Sequence, residues 1–161
     1  MLSACSGPRT TRERVALLIA TVGGVGRAPF APGTVASAIT ALALGLFTPS
    51  RPVLIVLVLA VIVLGTWAAH DAERSLGAKD PGAIVIDEVA GMALSVLALP
   101  LTPAVLLAGF LLFRVFDIVK PYPANALQRL AGGVGVMLDD VVAGLYALLL
   151  LLAARALVGW P

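Results

Sequence analysis

The segment Val53–Ala69 is almost entirely apolar and carries no charged side chain. A helix needs about 20 largely apolar residues to cross the hydrocarbon core of a bilayer. The segment therefore predicts a transmembrane helix, and further apolar helices are expected over Val35–Thr48 and Val141–Gly159. Because 60% of the 161 residues are hydrophobic and only 12% are charged, the chain is assigned to membrane proteins. A compact soluble bundle with a very apolar core is the alternative.

Charge and cysteine content exclude several function classes. A net charge of +2, spread along the chain, does not indicate nucleic-acid binding. The single cysteine, Cys5, allows neither an internal disulfide nor a cysteine metal cluster. Residues 1–14 are expected to form a polar N-terminal arm without a cleavable signal, and residues 15–161 a single membrane-embedded domain.

Two prolines interrupt the apolar segment Val89–Leu112. The sequence Leu99-Pro100-Leu101-Thr102-Pro103 predicts a turn between two short helices that enter the membrane and come back. The turn would return Arg114 to the side of the membrane where Asp87 lies. The expected fold is all-α, a small polytopic helical membrane bundle with short or re-entrant helices around residues 89–113.

The distribution of charge supports this hairpin. With it, all 9 acids and all but two of the 11 bases lie on one side of the membrane, the exceptions being Arg51 and Arg155. A straight crossing would divide both sets. The positive-inside rule then places the charged side in the cytoplasm.

Residues 113–140 concentrate charged residues and glycines between apolar segments. Charge near hydrocarbon is costly and usually marks a functional site. Arg114, Asp117 and Lys120 are spaced by three, so they share one face of a helix. Pro121 is expected to end that helix.

Two acidic pairs, Asp87-Glu88 and Asp139-Asp140, each precede an apolar segment. The dipole of a helix favours carboxylates at its start, which explains each pair taken singly. Gathered at one membrane face together with Asp117, the acids would repel one another unless a cation neutralised them. Oxygen ligands without cysteine suit Mg²⁺ better than zinc. The candidate metal ligands are Asp87, Glu88, Asp139 and Asp140.

Bases beside a bound divalent ion would suit a phosphate monoester. Arg114 and Lys120 supply the bases, and backbone amides near Gly132 and Gly133 could approach the phosphate oxygens. The glycine-rich residues 23–34 lead into a helix whose N-terminus could also bind phosphate. Neither a Cys-x5-Arg nor an Asp-x-Asp-x-Thr signature occurs. Metal-assisted attack by water is the simplest reaction for this set, with an aspartyl nucleophile as the alternative.

Three polar regions, GRAPFAPGTVAS, DPGAIVIDEVAG and FRVFDIVKPYP with GGVGVMLDDVVAG, resemble in this order the phosphatidylglycerophosphatase A family. The resemblance implies an all-helical, Mg²⁺-dependent phosphatase of the bacterial inner membrane that hydrolyses phosphatidylglycerophosphate to phosphatidylglycerol and phosphate. The family motifs carry over to Asp80, Asp87, Glu88, Arg114, Asp117, Lys120, Asp139 and Asp140. The expected catalytic residues are Asp87, Glu88, Asp117, Lys120, Asp139 and Asp140. The expected substrate-binding residues are Arg114, Lys120, Thr34, Ser37, Gly132 and Gly133.

Three other functions remain as alternatives. A CDP-alcohol phosphotransferase would show a spaced Asp-Gly and Ala-Arg pattern, which is not visible in this sequence. A transporter would need polar residues near the bilayer midplane, and the segments 53–69 and 141–154 contain almost none. In a non-catalytic membrane scaffold, the acids would only start helices.

Overall fold

The computed structural model describes residues 10–159, which form helices and connecting turns without a β-strand. The helices in chain order are α1 (Thr11–Ala20), a 3-10 helix (Val22–Arg27), α2 (Pro32–Phe47), α3 (Arg51–Leu76), α4 (Ile86–Ser95), α5 (Pro103–Val119), α6 (Ala124–Leu127) and α7 (Gly133–Val158). The predicted all-α class is confirmed. Most of the predicted polar arm, residues 1–9, lies outside the described residues, and Thr10 caps α1 through a hydrogen bond from the amide of Glu13.

Helices α3 and α7 are long and apolar enough to cross a membrane. Each has 26 residues and is therefore about 39 Å long, which exceeds the roughly 30 Å of bilayer hydrocarbon. Large apolar side chains such as Val56 and Leu59 of α3 and Leu149 of α7 are exposed on their outer faces. An apolar exterior of this kind is stable against lipid, so a polytopic membrane bundle agrees with both length and surface.

The predicted hairpin is present. Helix α4 ends at Ser95, a turn follows, and α5 begins at Pro103 after Thr102, whose hydroxyl accepts a hydrogen bond from the amide of Val105. Arg51, at the start of α3, donates a hydrogen bond to the carbonyl of Ala98 in this turn at 2.8 Å. The tip of the hairpin therefore lies beside the start of α3, and the end of α5 returns to the start of α4.

Small residues allow the hairpin and α7 to pack at backbone contact. A Cβ added to Gly144 of α7 would lie 2.5 Å from the carbonyl oxygen of Gly91 in α4. A Cβ on Gly91 would lie 2.7 Å from the carbonyl oxygen of Asp140 and would overlap the ring of Phe113 in α5. Gly109 of α5 faces Ser95 and Val96 in the same way. These small residues let the two arms of the hairpin and α7 pack closely, as small residues do between membrane helices.

Helices α3 and α7 show the largest differences from the predicted helix boundaries. Helix α3 continues past Ala69 to Leu76 and ends only where Gly77 adopts a left-handed conformation with φ of 66°. Helix α7 begins at Gly133, well before Val141, because glycines at its start allow close packing against α3.

The early start of α7 overturns one explanation of the acids. Asp139 and Asp140 lie in its second turn, and its first turn contains no acidic residue. The helix dipole therefore accounts for Asp87 and Glu88 in the first turn of α4, but the same explanation was wrong for Asp139 and Asp140.

Replacing Gly144 by valine should destabilise the bundle, because the added atoms overlap the backbone of α4 at Gly91. Overpacking of this kind costs about 1–3 kcal/mol or more. Thermal unfolding of the detergent-solubilised protein should show a lower midpoint for Gly144→Val. The exposed Leu149→Val on the same helix is the control and should unfold near the wild-type midpoint. Equal midpoints for the two variants would contradict the backbone contact.

Candidate active site

Three carboxyl groups meet where α4 crosses α7. Asp87 and Glu88 come from the first turn of α4 and Asp140 from the second turn of α7. One oxygen of each lies within 4.8 Å of the others. We call these three residues the carboxylate cluster. The contact between Gly91 and Gly144 brings the two backbones close enough for this meeting.

The carboxylate cluster is buried and short of hydrogen-bond donors. Asp87 is 7% exposed and Asp140 2%. Oδ1 of Asp87, Oε2 of Glu88 and Oδ2 of Asp140 have no hydrogen-bond partner among the described residues. Burial, and then the charges of Glu88 and Asp140, raise the pKa of Asp87 well above its usual range. Unpaired buried carboxyls are unfavourable, so the arrangement suits a bound cation.

Two bases border the carboxylate cluster from the end of α5. Nη1 of Arg114 lies 2.6 Å from Oδ2 of Asp117, although the groups are not aligned for a hydrogen bond, and 4.0 Å from Oε1 of Glu88. Nζ of Lys120 donates to Oδ2 of Asp139 and lies 3.8 Å from Oδ1 of Asp117. The predicted shared face of Arg114, Asp117 and Lys120 is therefore formed.

Lys120 ends α5 in a left-handed conformation directly before Pro121. Burial would lower the pKa of Lys120, but the hydrogen bond to Asp139 and the surrounding carboxylates raise it overall. The ammonium group therefore stays charged at neutral pH. Asp139 is only 2% exposed and directs one oxygen at Lys120. It thus contacts Lys120, whereas Asp140 belongs to the carboxylate cluster.

The N-terminus of α2 completes the site. Gly33 in its first turn is so close to the site that a Cβ would overlap the carboxylate of Glu88 and lie 3.2 Å from Nη1 of Arg114. The first amides of a helix lack intrahelical acceptors, and no side chain caps this end at Ala31. The free amides of Gly33 and Thr34 and the positive end of the dipole are therefore next to Arg114.

The structure brings some of the expected substrate-binding residues together and separates others. Thr34 is half-buried at the start of α2. The hydroxyl of Ser37 is fully buried and donates to the carbonyl of Gly33 at 2.8 Å, so it supports the first turn of α2. Gly132 packs against His70 and Gly133 against the backbone at Thr66. Both glycines therefore lie at the contact of α7 with α3.

Two neighbours of the site were not recognised as site residues. Gly33 lies within the glycine-rich segment, directly after Pro32. A proline at the first position of a helix is common, so this pair could have indicated that Gly33 lies in the first turn of α2. Gln128 donates from Nε2 to Oδ2 of Asp80 at 3.0 Å, and the amide of Asp80 donates to Oε1 of Glu73 at 2.6 Å. These bonds hold the loop before α4. No local pattern indicates the partner of Gln128, because the two residues lie 48 positions apart.

Comparison with known families gives one match over most of the chain. The model of the family Phosphatidylglycerophosphatase A matches residues 18–155. This range contains every residue of the site described above.

Three relatives align with this chain, and two of them carry the name of the family. A Bacteroides thetaiotaomicron protein, provisionally named a phosphatidylinositol-3-phosphatase, is 39% identical over 152 residues, which cover 89% of this chain and 95% of the relative. The Escherichia coli phosphatidylglycerophosphatase A is 37% identical over 131 residues, which cover 79% of this chain and 76% of the relative. The Haemophilus influenzae phosphatidylglycerophosphatase A is 38% identical over 95 residues, 58% of each chain. No solved structure matches this chain.

The carboxylate cluster should bind a divalent cation, because its unpaired oxygens are then neutralised. A ligand at 100 times its dissociation constant stabilises a protein by about 2.7 kcal/mol. Added Mg²⁺ should therefore raise the thermal midpoint of the wild type, and Asp140→Asn should abolish the rise.

The matched control is Asp71→Asn. Asp71 is also buried but pairs with Arg12 of α1, away from the carboxylate cluster. Its variant should lose basal stability and keep the response to Mg²⁺. The cation site would be disproved by a Mg²⁺ response that survives in Asp140→Asn.

Proposed function

Because the chain belongs to the phosphatidylglycerophosphatase A family, we propose that it is a Mg²⁺-dependent phosphatase that releases phosphate from phosphatidylglycerophosphate in the biosynthesis of phosphatidylglycerol. The observation that carries this proposal is the meeting of the carboxylate cluster with Arg114 and the free N-terminus of α2. The cluster fits a cation, and the other two elements fit a phosphate. The family assignment favours hydrolysis over the phosphotransferase, transporter and scaffold alternatives.

The residues of the carboxylate cluster fit Mg²⁺. Their buried, unpaired oxygens form an all-oxygen donor set, which is the set that Mg²⁺ prefers. Asp87, Glu88 and Asp140 would hold the ion. When bound, Mg²⁺ would polarise the phosphoryl group and lower the pKa of a bound water. Asp139, the fourth expected ligand, is assigned instead to orienting Lys120, which it already contacts.

Arg114 and α2 would bind the phosphate. The guanidinium group of Arg114 neutralises phosphate oxygens and can donate two parallel hydrogen bonds. The amides of Gly33 and Thr34 lie at the positive end of α2, where Gly33 is next to Glu88 and Arg114, so they would donate to the same phosphate. Asp117 lies 2.6 Å from Arg114 and limits the positions of the guanidinium group. Phosphate would therefore be bound from two sides, by a side chain and by backbone donors.

The reaction needs one base and one leaving group. Water forms a bond to phosphorus, the bond between phosphorus and the glycerol oxygen breaks, and the glycerol oxygen gains a proton. A carboxylate of the site accepts the proton that the water loses and then donates it to the glycerol oxygen. Lys120 is charged at neutral pH and sits within the same set of carboxylates, so it would offset negative charge that builds up on the phosphoryl group.

We place the site at the cytoplasmic face of the bacterial inner membrane. The bases Arg74, Lys79, Arg114, Lys120 and Arg129 lie at the end of the bundle that carries the site, which fits the positive-inside rule. A phosphate headgroup at this face would leave the acyl chains in the adjacent leaflet.

A second lipid phosphate deserves testing as a substrate. The Bacteroides relative carries the name of a phosphatidylinositol-3-phosphatase and matches over a larger share of this chain than the Escherichia coli enzyme. A site built from a cation and phosphate donors recognises the monoester that both lipids share. The surrounding headgroup would then decide which of the two is preferred.

Purified protein in mixed micelles should release phosphate from phosphatidylglycerophosphate with Mg²⁺ and lose this activity in EDTA. Asp87→Asn and Arg114→Gln should each reduce turnover by about 100-fold or more, because each removes charge stabilisation from the reacting phosphoryl group. Phosphatidylinositol 3-phosphate, assayed in parallel, measures the preference between the two headgroups.

Two controls separate the site from the fold. Asp71→Asn and Arg155→Gln remove the same side-chain types outside the site and should retain activity, and Arg155 lies in the last turn of α7. If the wild type releases phosphate from neither lipid, or if folded Asp87→Asn remains active, the proposed function is wrong.

Single cysteines in a Cys5→Ser background should report the orientation. Ser50 directly precedes α3 and Ala78 follows it, so these exposed positions lie at opposite ends of the helix. Tyr122 is 80% exposed at the end of the bundle that carries the site. A membrane-impermeant maleimide should label Ala78→Cys and Tyr122→Cys only in inside-out vesicles, and Ser50→Cys only in spheroplasts. Labelling of Ala78→Cys and Tyr122→Cys from opposite sides would contradict the hairpin.

A further inference from the structure

An apolar groove lies between α2 and α5 on the outside of the bundle. Its volume is about 540 Å³, within the range of roughly 300–1,000 Å³ that is typical of ligand sites. Every lining residue is apolar, and the groove includes the small residues Ala38, Ala41 and Gly45 of α2. The opposite wall contains Leu106, Leu107 and Phe110 of α5.

The groove begins one helical turn from the phosphate-binding groups of the candidate site. Ala38 follows Thr34 by four positions on α2, and Phe110 precedes Arg114 by four positions on α5. Residues four apart share a helix face and are separated by about 6 Å along the axis. Both walls of the groove therefore continue directly from the residues expected to hold phosphate.

The direction of the two helices gives the groove its path. Helix α2 starts at the site and runs away from it, and α5 runs back to the site, which it reaches at Arg114. From Ala38 to Leu46 the groove extends about 12 Å along α2. One leaflet of hydrocarbon is about 15 Å deep. The groove therefore spans most of one leaflet, starting at the headgroup end.

We propose that this groove binds an acyl chain of the lipid phosphate substrate. The inference rests on the proposed function and adds a second recognition element to it. The headgroup would bind between Arg114 and the start of α2, and one chain would lie against Ala41, Gly45 and Leu107. An acyl chain in the groove would displace other lipid and hold the headgroup at the site. The acyl chain would therefore contribute to substrate specificity.

Small side chains keep the groove open. A Cβ on Gly45 would already lie 3.0 Å from Cδ1 of Leu106. A larger residue at this position would therefore fill the far half of the groove, leaving the part next to the site free. Leu107 is 60% exposed and lines the groove near its middle, which offers a second position for blocking.

The test compares chain lengths. Gly45→Phe and Leu107→Trp should lower kcat/KM for dipalmitoyl phosphatidylglycerophosphate by about 10-fold, a loss typical of a filled apolar pocket. The dihexanoyl form should be hydrolysed within about twofold of wild type, because six carbons end before the obstruction. Leu107→Trp provides the answer if Gly45→Phe does not fold.

Matched controls come from the lipid-facing side of α3. Ala60→Phe and Leu59→Trp add the same side chains at exposed positions outside the groove, and Leu59 is 57% exposed. Neither should change the ratio of long-chain to short-chain kcat/KM. Equal ratios in the groove variants and the α3 variants would show that ordinary bilayer lipid covers the groove and would overturn the proposal.

A direct probe gives an independent readout. A phosphatidylglycerophosphate analogue with a diazirine at the middle of one chain should label α2 and α5 in preference to α3, and excess unlabelled dipalmitoyl substrate should compete. Uniform labelling of all lipid-facing helices would reject the groove while leaving the phosphatase activity intact. If wild-type protein hydrolyses neither chain length, the proposed function and the groove proposal both fail.

Discussion

The burial of the carboxylate cluster is the constraint on which the rest of the structure depends. Asp87 and Asp140 can approach each other only because α4 and α7 touch through Gly91 and Gly144. One oxygen of each carboxyl group has no hydrogen-bond donor among residues 10–159, and such buried groups would destabilise an isolated bundle. Their presence is understandable if binding a cation is part of the folded and active state. The same close packing that stabilises the helices thus brings together the carboxyl groups that would hold the cation.

The remaining elements gather charge at the same end of the bundle. The hairpin returns the end of α5 to the start of α4, which places Arg114 and Lys120 beside five carboxyl groups. Helix α2 contributes an uncapped N-terminus through Gly33. The opposite end, around Arg51 and the tip of the hairpin, carries no comparable cluster among residues 10–159. This asymmetry suits an enzyme whose substrate has its charge at one membrane face and its chains in hydrocarbon.

The two parts of such a substrate would meet two different surfaces of the same helices. The start of α2 and the last turns of α5 face the site. Other turns of the same two helices line the apolar groove. Because the two surfaces are continuous, binding of the chain would help to hold the phosphoryl group near the carboxylate cluster. Substrate recognition and catalysis would then depend on the same pair of helices.

The amino-acid sequence by itself determined the all-α class, the turn between α4 and α5, and the residue types of the site. These follow from local chemistry: apolar runs form helices, prolines break them, and oxygen ligands select hard cations. Helix ends were less predictable, as α3 and α7 show, because packing at Gly133 extends α7 beyond its apolar part. Only the tertiary structure decided that Asp140 joins Asp87 and Glu88 while its neighbour Asp139 pairs with Lys120. Successive residues on a helix point in directions about 100° apart, so their partners depend on which helices are packed on each side.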